Sequence, residues 1–239
     1  GVVTANNGNR YRVTVTSGGA CGNTVVSTAG ILTVNEAPEV GTQPIDVTAC
    51  ITGTAVFTAT AGATTGPVYQ WQVDTGSGFA NIAAAGAPNY SGFTTATLTI
   101  GTLSAATSGW DYRVVITGTC PGSVNSNSAN LTIDTPAAIS AQPANDTQCE
   151  TADATFTVTA TGTSLSYQWE ESTNGGVSWT SVGANSNTYT KVGVVTANNG
   201  NRYRVTVTSG GACGNTVVST AGILTVNEAP EVGTQPIDV

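Results

Sequence analysis

The chain has 239 residues and a formal net charge of −8, from 14 acidic and 6 basic side chains, and it contains neither His nor Met. Without His, Ser-His-Asp and Cys-His nucleophile systems and His-containing zinc sites are excluded. Without a Lys/Arg cluster, neither a nucleic-acid partner nor an anionic membrane surface is expected, and no apolar run approaches the ~18 residues of a membrane-inserted helix.

Residues 1–47 recur without a substitution as residues 193–239. The offset of 193 − 1 = 192 residues is a repeat period, so the chain reads as about one and a quarter periods (239/192) of a longer array. Within the period two divergent units share one design. Gln43-Pro44 aligns with Gln142-Pro143, Cys50 with Cys149, Phe57 with Phe156, Trp71 with Trp169, Phe79 with Trp179 and Tyr112 with Tyr203. The expected division is 1–34 as the end of a type 2 domain, 35–133 as a type 1 domain, 134–226 as type 2, and 227–239 as the start of the next type 1 domain.

Thr, Ser, Gly, Ala, Val and Asn dominate the composition, which favours strands and turns. In Tyr203-Arg204-Val205-Thr206-Val207-Thr208 apolar and polar residues alternate, the pattern of a half-buried antiparallel strand. The runs Ala55–Ala59 and Tyr112–Ile116 behave similarly, and Gly, Asn and Ser clusters such as Ser209-Gly210-Gly211 punctuate them as turns. About seven such strands fit each unit, the size and rhythm of an immunoglobulin-like β-sandwich. The fold class is therefore all-β, with tandem immunoglobulin-like sandwiches. The junctions NEAPEVGTQP and IDTPAAISAQP each hold two prolines, which favour extended chain and predict stiff connections and a rod-like array.

The five cysteines receive an account from the repeat. Cys21 and Cys213 are one position a period apart. Pairing within each unit predicts disulfides Cys50–Cys120 and Cys149–Cys213, with the partner of Cys21 upstream of residue 1, and places the protein in an oxidising compartment.

The order of a Cys, VFTATAG or TFTVTATG, YQW, GSGFANI or GVSWTSV, YRV and a second Cys resembles the tandem Ig-like repeats of giant Bacteroidota surface proteins. Within that group it is most similar to gliding-motility adhesins of the SprB type, exported through the type IX secretion route. The resemblance implies an extracellular, outer-membrane-associated stalk or filament without enzymatic activity. Its expected partners are neighbouring repeats, the outer-membrane motility or secretion machinery and surface polysaccharide. It also implies that Trp71 and Trp169 are core tryptophans and that Tyr11, Tyr112 and Tyr203 suit a tyrosine corner. Two residues after each of these tyrosines an antibody domain has Cys, whereas Val13, Val114 and Val205 stand here.

No calcium-loop or phosphate-loop motif occurs, and no catalytic, cofactor or metal site is expected. Glu36, Glu39 (repeated as Glu228 and Glu231) and Asp46 could hold calcium at a junction, but solvated acids are the favoured reading. Trp110, Phe79, Tyr90, Phe93 and Trp179 could stack on sugars. The competing expectation has Phe79 and Trp179 capping the core and Trp110 packing against a neighbouring domain. Lys191, the sole lysine, aligns with Ile100. An isopeptide crosslink there would need an acid or Asn beside it, which the sequence does not place. Carbohydrate-binding modules, or accessory domains of a secreted enzyme, are the alternative to a stalk.

Overall fold

A computed structural model describes residues 1–20, 22–83, 88–228, 230 and 233. It is all-β, and among these residues the only helical turns are three-residue 3-10 turns at Thr4–Asn6, Ala105–Thr107 and Thr196–Asn198. Two compact units emerge: Gly1–Val47 with Ala55–Gly101 and Gly109–Leu131, and Thr48–Thr54 with Thr102–Ser108 and Thr132–Val239.

The first 34 residues carry β1 (Arg10–Tyr11), β2 (Thr14–Thr16), β3 (Thr24–Val26) and β4 (Gly30–Ile31), with β1 paired to β4 and β2 to β3. A sandwich follows, built from β5 (Val40–Thr42), β6 (Val47–Cys50), β7 (Ala55–Thr58), β8 (Thr60–Ala61), β9 (Val68–Asp74), β10 (Phe79–Asn81), β11 (Tyr90–Ser91), β12 (Thr97–Ile100), β13 (Asp111–Thr117), β14 (Ser123–Asn125) and β15 (Ala129–Asp134). One of its sheets runs β10-β9-β13-β15-β6, with β14 also on β13; the other runs β11-β12-β7, and β5 pairs with β8. Phe57 of β7 meets Trp71 of β9 and Tyr112 of β13 with ring centroids 6.3 and 4.9 Å apart, so the core lies between the sheets.

The second sandwich repeats the plan with β16 (Ala138–Ala141), β17 (Asp146–Cys149), β18 (Ala154–Thr157), β19 (Thr159–Thr161), β20 (Ser166–Ser172), β21 (Thr180–Val182), β22 (Thr188–Lys191), β23 (Arg202–Thr208), β24 (Thr216–Val218) and β25 (Gly222–Asn227). Its larger sheet runs β17-β25-β23-β20-β21, with β24 on β23 and β17 parallel to β25. Trp169, Tyr203, Phe156, Val205, Val207 and Leu224 are completely buried, as are Trp71, Tyr112, Phe57 and Leu131 in the first sandwich. The indole N–H groups donate to backbone carbonyls, Trp71 to Thr95 and Trp169 to Ser186, each at 2.9 Å, so the largest core side chains leave no buried donor unpaired. Gly222 faces this core where a Cβ would come within 2.9 Å of the Phe156 ring, so only glycine fits.

The disulfide pattern differs from the expected one. Cys50 bonds to Cys213, with Cα atoms 4.8 Å apart, while Cys120 and Cys149 are free thiols; Cys21 lies outside the described residues. Strand polarity gives the reason. The Ile51 N–H donates to the Asp134 carbonyl at 3.0 Å, so Cys50 sits at the end of the sheet where β15 finishes. Cys120 lies beyond the far end of β13, past Thr117, whereas the first residue of that strand, Asp111, pairs with Asn130 of β15. Seven strand residues therefore separate the two positions, about 20 Å at ~3.4 Å per residue, against the ~7 Å between Cα atoms that a disulfide tolerates.

The tyrosine corner is also corrected. Neither hydroxyl returns to the backbone: Tyr112 Oη lies 3.3 Å from Tyr90 Oη, and Tyr203 Oη donates to Glu171 Oε1 at 2.6 Å.

Candidate functional site

Alternation along β13 and β23 turns Tyr112 and Tyr203 inward and Arg113 and Arg204 outward. On the outer face of the first sandwich Arg113 registers with Gln72, and Gln72 with Asn81. Arg113 Nε donates to Gln72 Oε1 and Gln72 Nε2 to Asn81 Oδ1, each at 2.8 Å, while the guanidinium lies 4.1 Å from the Phe79 ring centroid. The second sandwich replaces the amide with an acid. Arg204 Nε bonds to Glu170 Oε2 at 2.8 Å, and its guanidinium lies 4.1 Å from the Trp179 ring.

Phe79 and Trp179 are thus half-buried on the outer face and do not cap the core. A guanidinium over the ring is a cation–π contact worth about 0.5–1 kcal/mol at such sites, and it occupies a face that a sugar would need. The remaining candidates for sugar stacking are dispersed. Tyr90 turns inward to Tyr112, with ring centroids 6.3 Å apart. Phe93 and Trp110 are half-buried, and their carbonyls accept from the Trp71 and Leu131 amides.

A second cluster ties the two sheets of the second sandwich together. Glu171 Oε1 on β20 accepts from Tyr203 Oη at 2.6 Å and from the buried Asn201 Nδ2 at 2.9 Å, and Lys191 Nζ of β22 lies 3.4 Å away. Lys191 therefore does have an acid beside it, one that also holds an Asn, contrary to the sequence expectation. Tyr203 stacks between Phe156 at 4.4 Å and Tyr189 at 5.4 Å, which closes the cluster off from below. In the first sandwich the aligned positions are Val73, Ile100 and Trp110, so an apolar set replaces the polar clamp.

Burial alone would raise the Glu171 carboxyl, but hydrogen bonds from Tyr203 and Asn201 and the Lys191 charge outweigh it and hold the group below its ordinary value of 4.5. Burial, then the bond to Glu171, push the Tyr203 hydroxyl well above its ordinary range. Because the carboxyl is more acidic folded than unfolded, its stabilisation is full above pH 4.5 and is lost as pH falls through the lowered folded value. In Glu171→Gln the acid limb of unfolding for the second sandwich is expected to flatten, with lower stability at neutral pH. Denaturant midpoints measured from pH 7 down to pH 3 check this; an unchanged acid limb would overturn it.

Two of the carboxylates named as calcium candidates, Glu39 and Asp46, hold backbone amides. Glu39 Oε2 accepts from Ala63 N–H at 3.1 Å and Asp46 Oδ1 from Asn130 N–H at 2.8 Å; Glu228 is exposed, and Glu231 lies outside the described residues. Among the described residues no three or more His, Cys, Asp or Glu side chains group closely enough to hold a metal. Asp134, which no sequence motif marks, is buried. Its Oδ2 accepts from Ala212 N–H at 2.7 Å and its carbonyl from Ile51 N–H at 3.0 Å, with Cys213 Sγ 3.3 Å from that same carbonyl. Gly211, at φ +64°, passes so close to the carboxylate that a Cβ would collide with it.

Comparison with known proteins agrees with the fold. Residues 138–228 match a domain family described as a domain of unknown function, DUF8696. Endoglucanase C of Cellulomonas fimi is 32% identical over 178 residues, covering 74% of this chain. The chain spans only 15% of the length of that relative. Among solved structures, the I-band fragment I67–I69 of titin superposes with a TM-score of 0.58 at 17% identity, covering 92% of this chain and 76% of the fragment. The first two Ig domains of DIP-gamma give 0.55 at 16% identity, over 81% of this chain and 99% of theirs. Extracellular domains 3–5 of Drosophila OTK give 0.52 at 17% identity, over 95% and 73%. The chain is a tandem of immunoglobulin-like sandwiches.

Proposed function

We propose that the chain is a length of the stalk of a large secreted cell-surface adhesin, a tandem Ig-like array that serves surface attachment and gliding motility. The observation that carries this is the 192-residue period with its 47-residue substitution-free overlap, which multiplies one design and so supplies length instead of new ligand sites. The Cys50–Cys213 bond supports an oxidising, extracellular setting. The SprB-like resemblance adds a Bacteroidota outer membrane, type IX secretion and the motility machinery as the anchoring partner. In this reading the chain has no enzymatic activity, and neighbouring repeats are its direct partners.

Cell fractionation followed by a denaturing, non-reducing gel tests the proposal. A surface-associated parent of many hundreds of kilodaltons is expected. A soluble parent holding two or three of these units would overturn it.

A second reading, accessory modules of a secreted glycan hydrolase, is favoured by the similarity to Endoglucanase C. It predicts retention of the 239-residue chain on insoluble β-glucan. The Arg-covered rings of Phe79 and Trp179 argue against such retention.

A further inference from the structure

We infer that Cys149 and Cys120 are the two halves of a second disulfide, formed between successive periods, so that every domain junction of the array is closed covalently. The inference rests on the array reading but not on where the array is displayed.

The Cys50–Cys213 bond supplies the template. Its first half is a cysteine that ends the edge strand β6, followed by a residue whose N–H donates to the last residue of β15: Ile51 to Asp134 at 3.0 Å. Cys149 is placed in the same way. It ends β17, it registers with Asn227, and the next N–H, of Glu150, donates to the Asn227 carbonyl at 3.0 Å. Both cysteines then enter the same tight turn, Gly53 N–H donating to the Cys50 carbonyl at 2.7 Å and Ala152 N–H to that of Cys149 at 3.1 Å.

The second half is a cysteine in the loop before β24, held against the domain entry. Gly210 N–H donates to the Thr163 carbonyl, and Thr163 exchanges bonds with Thr135, just after Asp134. Cys120, in the loop before β14, repeats this arrangement. Thr119 N–H donates to the Thr65 carbonyl at 2.8 Å, and Thr65 exchanges bonds with Glu36, the residue aligned with Thr135.

The spacing agrees as well. Cys50 and Cys213 are 163 residues apart, and Cys149 is separated from the next counterpart of Cys120 by 120 + 192 − 149 = 163. Cys50, Cys120, Cys149 and Cys213 are then all used. Pairing within a unit would instead span 70 and 64 residues (120 − 50 and 213 − 149), and the geometry of the first sandwich forbids it.

Each bond joins two Sγ atoms and releases two protons and two electrons. These pass to a disulfide donor: oxidised glutathione, which leaves as two glutathione thiols, or a disulfide-carrying oxidoreductase, which leaves as its dithiol.

The test has two chains, each oxidised with glutathione, alkylated under denaturing conditions and mapped as non-reduced peptides. In the 239-residue chain a Cys50–Cys213 peptide pair is expected, with Cys120 and Cys149 alkylated. In a chain extended by one further period, Cys149 is expected to lose its alkyl label and appear linked to the counterpart of Cys120. Cys149→Ser in the extended chain should free that counterpart alone and leave the Cys50–Cys213 bond in place. Cys149 linked to Cys213, Cys50 linked to Cys120, or Cys149 still alkylated in the extended chain would overturn the inference. The size of the native parent separately decides whether the array exists.

Discussion

Pulled from its ends with the Cys50–Cys213 bond intact, the chain is expected to extend through residues 1–50 and 213–239 only. The 162 residues between the bridged cysteines (213 − 50 − 1) stay out of the force path, however many hydrogen bonds break among them. Reductant should then release about 550 Å of hidden length, at ~3.4 Å per extended residue. Single-molecule force spectroscopy with and without reductant measures this directly. Bonds confined to each unit would hide two loops of 69 and 63 residues (120 − 50 − 1 and 213 − 149 − 1) and leave a further step of roughly 100 Å before reduction. Observing that step in the oxidised chain would sink the expectation. The same bond constrains the unfolded chain, a contribution of about 5 kcal/mol in the entropic account for a loop of 163 residues. If the second bond forms at alternate junctions, the free span between one bridge and the next is 149 − 120 = 29 residues, and 50 + 192 − 213 = 29 for the other set. An array so closed could lose the packing of every sandwich and still reach only about 100 Å per period, against about 650 Å without the bonds. For a stalk under load, covalent chemistry would then set the limit of extension.

The strands were legible in the sequence because their alternation is local. The repeat shows what was not. Tyr11, Val13 and Val15 are 59%, 58% and 62% exposed, while Tyr203, Val205 and Val207, in the same 47-residue sequence, are fully buried. The short-range pairing survives in both copies: Arg10 registers with Ile31 as Arg202 does with Ile223, and Thr14 with Val26 as Thr206 does with Val218. The seven-residue strand Arg202–Thr208, however, is split in the first copy into β1 and β2. In the second copy β20 pairs along all seven residues and keeps the strand whole. Pattern thus specifies the hairpin, and a partner strand completes it.

The cysteines failed for a related reason. Alignment finds equivalent positions but not which end of a sheet each occupies, and Cys50 and Cys120 lie at opposite ends. The sequence did carry a usable signal, since a seven-residue strand beginning at Asp111 moves the loop of Cys120 away from the end that β6 reaches. The Glu171 clamp was hidden because two of its members stand on different strands and the third just before another, 20 and 10 positions apart (191 − 171 and 201 − 191), and no local pattern joins Glu171, Lys191 and Asn201. Phe79 and Trp179 were misplaced because an aromatic near a strand start reads as core, while a guanidinium two strands away gives it an equally good outer-face partner.

Trp169→Ala is expected to be the most damaging single substitution in the second sandwich. The side chain has no exposed surface, and its ring centroid lies 6.1 Å from that of Tyr189. Large-to-small changes of this kind cost about 3–5 kcal/mol through lost transfer energy and the cavity left behind. The half-buried Ser186 carbonyl also loses its 2.9 Å partner, which adds to the loss. Against the ~5–15 kcal/mol that holds a typical domain, this removes a large fraction, and at about 4–8 °C per kcal/mol for a domain of this size the melting temperature should fall by at least ~15 °C. Trp179→Ala provides the contrast. That ring is half-buried, and its main partner is the Arg204 guanidinium, so about 1 kcal/mol and a few degrees are at stake. Calorimetry of the two variants beside the parent chain resolves the difference, and the transition of the first sandwich, with Trp71 intact, serves as an internal reference. Equal losses for the two tryptophans would mean that the outer-face stack, and not the inter-sheet core, carries the fold. The Arg113–Phe79 and Arg204–Trp179 ladders would then become the elements that define the repeat.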